Sequence, residues 1–418
     1  MNKLDKDKLY VWHPFDVLQQ EHNIFIKKAT GVFLHTHDGR KIIDAISSWW
    51  VNIHGHRNPY ISKAVAKQLR LMEHVIFAGF THEPAIRLAE SLVKVLPGDM
   101  KKVFFSDNGS TATEVALKMA IQYWHNKGEK RNKIIALEGA YHGDTFGAMS
   151  VGARGGFNTP FEPYLFEVEF TSVPAEQHLA KFEGICQSGQ VAAFIYEPLV
   201  QGSVGMRMYP AEVLDKMLQI AHTHGVVCIA DEVFTGFGRT GKNFASEHCT
   251  EQPDIICLSK GLTGGFLPLG ATAANERIVK AFESKNLAHI FLHGHSYTAN
   301  PLACAAANES LRLLLHTDCE AQRTRLSETF AVWTKELASL PHVKNARSLG
   351  CIFAFEVENE QDSGYFNNVR EQLYKTFIEK NILIRPLGNT VYVLPPYVIS
   401  PKELNYIKKS IVEVMKTF

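Results

Sequence analysis

The sequence lacks any strong imbalance of charge. Lys and Arg together number 44 and Asp and Glu together 43, so the formal net charge of the 418-residue chain is +1. A chain this close to neutral has no general electrostatic attraction to nucleic acid or to an anionic membrane. No stretch is long and apolar enough to span a bilayer. The charged N-terminus has no apolar segment typical of a secretory signal. We therefore expect neither a nucleic-acid nor a membrane partner.

Cysteine and histidine motifs for metals are also missing. The seven cysteines are scattered with no C-x-x-C spacing, which predicts reduced thiols and a cytoplasmic protein. Three His-x-His pairs occur, at positions 35/37, 54/56 and 293/295. None has the i, i+4 spacing of a catalytic zinc helix. We expect no metal site, and we interpret these histidines as polar loop residues, with the last pair a candidate for the active site.

Short apolar runs alternate with helical patterns through the middle of the chain. Strands are predicted at 103–106, 134–137, 191–196, 226–230 and 254–258, and helices at 111–126 and 211–224. This alternation predicts an α/β fold with a mainly parallel sheet and helices on both faces. With 45% hydrophobic residues, the composition is that of an ordinary globular protein.

The two ends of the chain have a different pattern. Residues 31–44 contain an Asp-Gly turn between two apolar runs, which predicts a β-hairpin. From about residue 320 the pattern is α+β: a long helix, strands at 351–355, 382–385 and 391–394, and a helix near 366–379. We expect a large domain over 56–318 and a small α+β domain formed by 1–55 together with 319–418, because domain termini often lie close together.

Residues that follow the predicted strands are the first candidates for a site, because ligands bind beyond the carboxyl ends of parallel strands. Gly109 and Ser110 open a helix, which suits a phosphate or, alternatively, an ordinary helix cap. Tyr141 could stack on a flat ring or be a core tyrosine. Asp231 could pair with a cationic ring nitrogen or be a loop carboxylate. Lys260 could bind an aldehyde or extend its ammonium group to solvent.

Together these residues supply a phosphate cradle, a stacking ring, an acid and an amine. Pyridoxal phosphate requires these protein groups. A competing motif, Gly236–Gly241, matches G-x-G-x-x-G and nearly matches a P-loop. Residues 231–235 separate it from the preceding strand, and Asn243 replaces the Ser/Thr that a P-loop needs for magnesium. A nucleotide-binding dehydrogenase or NTPase is therefore the disfavoured alternative.

Several motifs resemble those of the class III aminotransferases of fold type I, over residues 12–397. They are Trp12-His-Pro-Phe15, Ser47-Ser-Trp-Trp50, Tyr141–Ser150, Gln201-Gly202, Gly205–Tyr209, Ile229–Val233, Gly236–Gly241, Pro253–Ile256, Ser259-Lys-Gly261 and Asn300–Ala307. The paired tryptophans and Met-Arg-Met point to the biotin-biosynthesis branch of that family. Phe15 stands where some members have tyrosine, and His295-Ser296 stands where some have Pro-Thr.

The resemblance implies the role of each site residue. Lys260 would be the catalytic lysine that binds pyridoxal 5'-phosphate. The resemblance assigns cofactor binding to Gly109, Ser110, Tyr141, Asp231, Lys260, His295 and Ser296. It assigns substrate binding to Trp49, Trp50, Tyr141, Lys260, Gly294 and Arg385, with Arg385 binding the substrate carboxylate. For Arg385 a surface ion pair is the alternative, and for the tryptophans core packing.

The resemblance also implies the reaction and the assembly. An amino group would pass from S-adenosylmethionine to 8-amino-7-oxononanoate and give 7,8-diaminononanoate. The alternatives are lysine as the donor, or another class III reaction on an ω-amino acid or diamine. The segment Gly294–Ser296 would reach the cofactor of a neighbouring subunit, so a homodimer with shared active sites is expected.

Overall fold

A seven-stranded sheet forms the centre of the protein. In the computed structural model, which describes residues 1–15, 23–156, 158–358 and 369–418, its strand order is Met100–Ser106, Gly270–Asn275, Ile255–Leu258, Val227–Asp231, Val191–Tyr196, Lys133–Leu137 and Glu169–Thr171. Neighbouring strands are parallel, except that Gly270–Asn275 runs antiparallel to both its neighbours. All six residues of Val191–Tyr196 are buried, as is typical of a parallel strand covered on both faces. The predicted α/β class is confirmed.

Helices account for most of the remaining regular structure. The α-helices are Lys3–Tyr10, Pro59–Leu69, Glu83–Val95, Gly109–Asn126, Phe146–Ser150, Leu179–Cys186, Ala211–Thr223, Glu276–Lys280, Pro301–Leu314, Thr317–Leu337, Val369–Glu379 and Pro401–Thr417. Short 3-10 helices span Thr159–Tyr164, Glu176–His178, Ala245–His248, Lys260–Thr263 and Leu287–His289. The helix predicted near 366–379 is present from Val369, and residues 366–368 lie outside the described residues. Within the described part of the chain, no helix has the length and apolar character that a membrane crossing requires.

The two ends of the chain share a smaller sheet. Its strand order is Ile26–Thr30, Phe33–Thr36, Lys41–Asp44 and Ile382–Leu383. The predicted hairpin is present, and Ile382–Leu383 pairs in parallel with Lys41–Asp44, which confirms that the N-terminal hairpin packs with the C-terminal part. The C-terminal part of the chain also forms a three-stranded antiparallel sheet, with the order Val343–Leu349, Ile352–Val357 and Thr390–Val393. Val200–Gln201 and Arg207–Met208 form a two-stranded ladder.

The interpretation of the His-x-His residues as loop residues is wrong for His35, which lies in the strand Phe33–Thr36 with its Nε2 2.9 Å from Thr30 Oγ1. His54 lies outside the helices and strands, as expected, but it is buried, with Nε2 2.9 Å from the carbonyl oxygen of Ser310. Burial lowers the pKa of His54 to about 4. The Nε2 atom of each of these two histidines therefore has a protein partner, as expected for a polar atom that is shielded from water.

Candidate active site

The carboxyl ends of the central strands converge on one cavity of about 440 Å³. Six residues singled out from the sequence line it, namely Trp50, Gly109, Ser110, Tyr141, Asp231 and Lys260. The last five end, or follow within four residues, the four central strands Met100–Ser106, Lys133–Leu137, Val227–Asp231 and Ile255–Leu258, so the sheet itself brings them together. The cavity volume is in the usual range for a cofactor or small-ligand site.

The amine at the centre of the cavity belongs to Lys260. Its Nζ lies 4.5 Å from the centre of the Trp50 ring and 5.7 Å from that of Phe234. Burial lowers the pKa of this ammonium group to about 8, although the carboxylates of Asp231 and Glu197 act in the opposite direction. A lysine of lowered pKa is more readily available as a neutral nucleophile. Lys260 also has φ of 43°, a left-handed conformation that a non-glycine residue adopts only when its surroundings hold it there.

An acid and a histidine form a buried pair at the end of the strand Val227–Asp231. Asp231 is 4% exposed, and its Oδ2 lies 2.6 Å from His142 Nδ1. Asp231 Oδ1 accepts a hydrogen bond from the N–H of Val233 at 3.0 Å. His142 Nε2 is buried and has no hydrogen-bond partner among the described residues. His142 lies in the motif Tyr141–Ser150, but no role was predicted for it.

The start of the helix Gly109–Asn126 forms the polar end of the cavity. Asn108 caps this helix, since its Oδ1 accepts a hydrogen bond from the N–H of Thr111 at 3.0 Å. The helix-cap alternative is thus met by Asn108, which leaves Gly109 and Ser110 available for a phosphate. The first backbone N–H groups of a helix have no partner within the helix, so those of Gly109 and Ser110 suit an anion. Ser110 Oγ already accepts a hydrogen bond from the N–H of Asp144 at 3.1 Å.

Tyr141 and Glu197 line the cavity together. The N–H of Tyr141 donates to Glu197 Oε1 at 3.0 Å, and the N–H of Gly202 donates to Oε2 at 3.0 Å. Burial raises the pKa of Glu197 to about 7, with His142 opposing that shift. Burial and the neighbouring Asp144 raise the pKa of Tyr141. Glu197 was not predicted as a site residue, although it directly follows the predicted strand 191–196, a position where ligand-binding residues are expected.

The residues Ser47–Trp50 form a turn of left-handed helix, which we call the tryptophan turn. Their φ angles are 52°, 46°, 69° and 75°, and none of the four is glycine. Each such residue costs about 1–2 kcal/mol relative to a right-handed conformation. The contacts of the turn must offset this cost, so its shape is over-determined by its surroundings.

The tryptophan turn directs its two indoles toward different parts of the site. Trp50 is 5% exposed, packs on Phe234 and lies against the Lys260 amine. Trp49 does not line the cavity but packs on Phe15, with ring centres 5.4 Å apart. The guanidinium carbon of Arg385 lies 5.0 Å from the Trp49 ring centre.

Arg385 is half-buried and has no carboxylate partner among the described residues. Its Nη2 makes only a 3.4 Å contact with the carbonyl oxygen of Phe15, and its Nε is buried without a partner. The structure does not show the surface ion pair that was the alternative for this residue. A guanidinium that is partly desolvated and unpaired is suited to a ligand carboxylate.

The segment Gly294–Ser296 does not line the cavity of its own chain. His295 Nδ1 accepts a hydrogen bond from the N–H of Tyr297 at 3.2 Å, while its Nε2 is buried and unpaired among the described residues. The role predicted for Gly294, His295 and Ser296 in a neighbouring subunit's site therefore stays a prediction.

The glycine-rich segment Gly236–Gly241 serves packing in this structure. A Cβ on Gly238, whose φ is +96°, would lie 2.5 Å from Arg323 Cδ. Arg239 is 1% exposed and donates through Nη2 to the carbonyl oxygen of Trp50 at 2.9 Å. The segment is followed by the short 3-10 helix Ala245–His248 rather than by a long helix, so it lacks the context of a nucleotide-binding loop.

The residues of the cavity fit pyridoxal phosphate. A helix N-terminus lies at one end for the phosphate, Lys260 provides an amine for the aldehyde, and Asp231 provides a buried acid for the ring nitrogen. The Asp231 carboxylate has an aromatic neighbour in Tyr141, which lines the same cavity.

Comparisons with known proteins identify the family of this chain. The family described as "Aminotransferase class-III" matches residues 16–415. An adenosylmethionine-8-amino-7-oxononanoate aminotransferase of Synechococcus elongatus is 48% identical, with 97% of this chain and 98% of that protein aligned. One from Staphylococcus aureus is 37% identical, with coverage of 98% and 96%. The crystal structure of the enzyme of that name from Methanocaldococcus jannaschii has a TM-score of 0.95, at 34% identity and coverage of 99% and 98%.

Proposed function

This chain belongs to the class III aminotransferase family, and from that premise we propose that it transfers an amino group from S-adenosylmethionine to 8-amino-7-oxononanoate, giving 7,8-diaminononanoate in biotin biosynthesis. The chain is a pyridoxal-phosphate-dependent aminotransferase of fold type I. The substrates are proposed because relatives aligned over nearly their whole length carry this reaction in their names.

The observation that carries the proposal is that the two indoles of the tryptophan turn contact two different functional groups, the amine of Lys260 and the guanidinium of Arg385. Trp50 lies against the Lys260 amine, and Trp49 lies against the Arg385 guanidinium, which has no carboxylate partner among the described residues. A keto acid with a long carbon chain between its carbonyl and its carboxylate could place the carbonyl near Lys260 and the carboxylate near Arg385. We assign the carboxylate to Arg385 and the reacting carbon to the neighbourhood of Lys260.

Each residue then has a defined task. When bound, pyridoxal phosphate supplies an aldehyde that takes the amine and a ring that accepts electrons. With the cofactor bound, the Lys260 amine would remove and return a proton at the substrate carbon as general acid and base. Asp231 stabilises a protonated ring nitrogen, and Gly109 and Ser110 bind the phosphate. Tyr141 contributes an aromatic face.

The segment Gly294–Ser296 is proposed to act across a subunit interface. We propose a homodimer in which Gly294, His295 and Ser296 complete the partner subunit's site. The Nε2 atom of His295, which is buried without a partner among the described residues, supports this.

We also propose that the chain has a large domain, 56–318, and a small domain formed by 1–55 and 319–418. The sheet that contains both Ile26–Thr30 and Ile382–Leu383 supports this division, because it joins the two ends of the chain.

The donor is tested in a half-reaction. The aromatic faces of Trp49, Trp50 and Tyr141 suit a bulky donor with an adenine and a sulfonium cation. We therefore expect S-adenosylmethionine, in single turnover, to remove the absorption band of the lysine-bound cofactor, and lysine to do so poorly. Lysine reacting fully while S-adenosylmethionine does not would overturn the donor and favour the lysine-using alternative. A 2-keto acid preferred as amino acceptor over 8-amino-7-oxononanoate would overturn the acceptor and favour the alternative reaction on an ω-amino acid or diamine.

A further inference from the structure

One buried carboxylate binds the middle of the tryptophan turn. Asp44 is fully buried, and its Oδ1 accepts hydrogen bonds from the N–H groups of Ile46 at 3.3 Å and Ser48 at 2.9 Å. Its Oδ2 accepts one from Ser48 Oγ at 2.7 Å. Two of these donors are on the turn itself, so the carboxylate bonds the left-handed backbone directly.

His56 supplies the fourth donor and links the carboxylate to the rest of the fold. Its Nε2 lies 2.8 Å from Asp44 Oδ2, and Asn52 Nδ2 lies 3.2 Å from its Nδ1. If Asn52 donates, Nδ1 is the acceptor and Nε2 carries the proton that Asp44 receives. The backbone of His56 exchanges two hydrogen bonds with Gly31, at 3.0 and 2.7 Å, so the imidazole is fixed to the N-terminal hairpin.

Neither residue can act on a ligand directly. The cavity is lined by Trp50 but by neither Asp44 nor His56. The side chain of His56 is 12% exposed and that of Asp44 is not exposed at all. Their effect must therefore pass through the conformation of the turn and the indoles that it carries.

We propose that Asp44 and His56 are a positioning pair that sets substrate selectivity by holding Trp49 against Arg385. The inference rests on the proposed function, in which Arg385 binds the carboxylate of the acceptor. A turn of four non-glycine residues with positive φ is not self-supporting, and loss of the carboxylate acceptor allows Ser48 and Trp49 to relax toward a right-handed form. Trp49 then leaves the guanidinium. Trp50 keeps its place beside Lys260, because its Nε1 donates to the Tyr392 hydroxyl at 3.1 Å and its carbonyl oxygen accepts from Arg239 Nη2 at 2.9 Å.

The test compares carboxylate ligands with a probe that has no carboxylate, on the holoenzyme. Asp44→Asn retains the shape but places an amide where four donors converge. His56→Leu removes one donor, and His56→Gln restores one. Asp38→Asn is the matched control, because Asp38 is an exposed aspartate of the same hairpin. The ligands are nonanoate, as a competitive inhibitor, and 8-amino-7-oxononanoate. The other probe is O-methylhydroxylamine, which reacts with the bound cofactor.

We expect Asp44→Asn and His56→Leu to raise the inhibition constant of nonanoate and the acceptor KM by about tenfold to a hundredfold, as for a misplaced positioning group. The rate with O-methylhydroxylamine and the absorption band of the bound cofactor should change by less than about threefold, the ordinary scatter for an unaffected site. His56→Gln should recover part of the loss, and Asp38→Asn should behave as the wild type.

Other outcomes overturn the proposal. An equal loss with both kinds of probe would mean a merely structural role, and no loss with either would mean no role. If Asp44→Asn does not fold, the comparison of His56→Leu with His56→Gln decides. If the wild type prefers another carboxylate substrate, the proposed acceptor fails, and the same ratios are measured with that substrate. A wild type with no preference for any carboxylate would overturn both proposals.

Discussion

Replacing Arg385 with alanine tests the most specific part of the proposed substrate site. The guanidinium is half-buried, lies against Trp49 and has no carboxylate partner among the described residues. Its removal therefore breaks no ion pair with a described residue, and we expect little change in the stability of the fold. The loss should appear in the use of substrates with a carboxylate, because that group is the partner the guanidinium lacks.

The magnitude follows from the type of contact. A hydrogen bond to a charged group contributes about 1.5–3 kcal/mol. At about 1.4 kcal/mol per factor of ten, Arg385→Ala should lower kcat/KM for 8-amino-7-oxononanoate by about tenfold to a hundredfold. The affinity for pyridoxal phosphate, measured by absorbance titration, should stay within about twofold, since the contacts of Arg385 are with Trp49 and Phe15 rather than with the cavity wall.

The assay is a double-mutant cycle with the substrate as one partner. The methyl ester of 8-amino-7-oxononanoate lacks the carboxylate, so the wild type should use the ester about as poorly as Arg385→Ala uses the acid. The variant should not distinguish acid from ester. Arg385→Lys should retain part of the activity, because it keeps the charge but loses the planar fork. Arg40→Ala, which removes an exposed arginine paired with Asp38, is the control. A variant that still prefers the acid as strongly as the wild type does would refute the carboxylate role.

Three further predictions concern Lys260 and the assembly. Lys260→Ala should fold but lose turnover, together with the cofactor band that borohydride removes in the wild type; near-normal steady-state transamination would contradict its role. In the cofactor-free chain, the unfolded state holds the Lys260 proton more tightly than the folded state, whose pKa is about 8. Stability relative to Lys260→Met should therefore rise with pH between about 8 and 10.5, by roughly 3 kcal/mol, and be level below about 8; denaturant titrations that show a constant difference across this window would exclude a lowered pKa. Mixing Lys260→Ala with Ser296→Asp, which introduces a charge beside the proposed partner phosphate, should restore some activity through hybrid dimers; a fully active monomer in sedimentation would contradict shared sites.

The sequence predicted the central sheet well because its strands are continuous apolar runs. This pattern is seen in the strands Val191–Tyr196, Val227–Asp231 and Ile255–Leu258. Because ligands bind beyond the carboxyl ends of parallel strands, the residues at these ends were the candidates for the site. The strand Gly270–Asn275 was missed, because its small residues have low strand propensity. The structure explains this composition: a Cβ on Gly270 would lie 2.3 Å from the carbonyl oxygen of Asn108. Close packing next to the phosphate end therefore requires residues whose local preference does not favour a strand.

The tryptophan turn could not have been predicted from local sequence. Nothing in Ser-Ser-Trp-Trp favours positive φ, since serine and tryptophan both prefer right-handed or extended conformations. The signal lies outside the segment: Asp44 ends a strand three residues earlier, and His56 comes six residues after Trp50. The backbone and side-chain donors that bind the Asp44 carboxylate come together only when the hairpin, the turn and the C-terminal strand Ile382–Leu383 are assembled. This turn directs one indole to the Lys260 amine and the other to Arg385, the proposed carboxylate-binding residue, so the geometry on which we propose that selectivity depends is set by long-range contacts. A substitution at Asp44 should therefore alter which substrate is used before it alters whether the chemistry occurs.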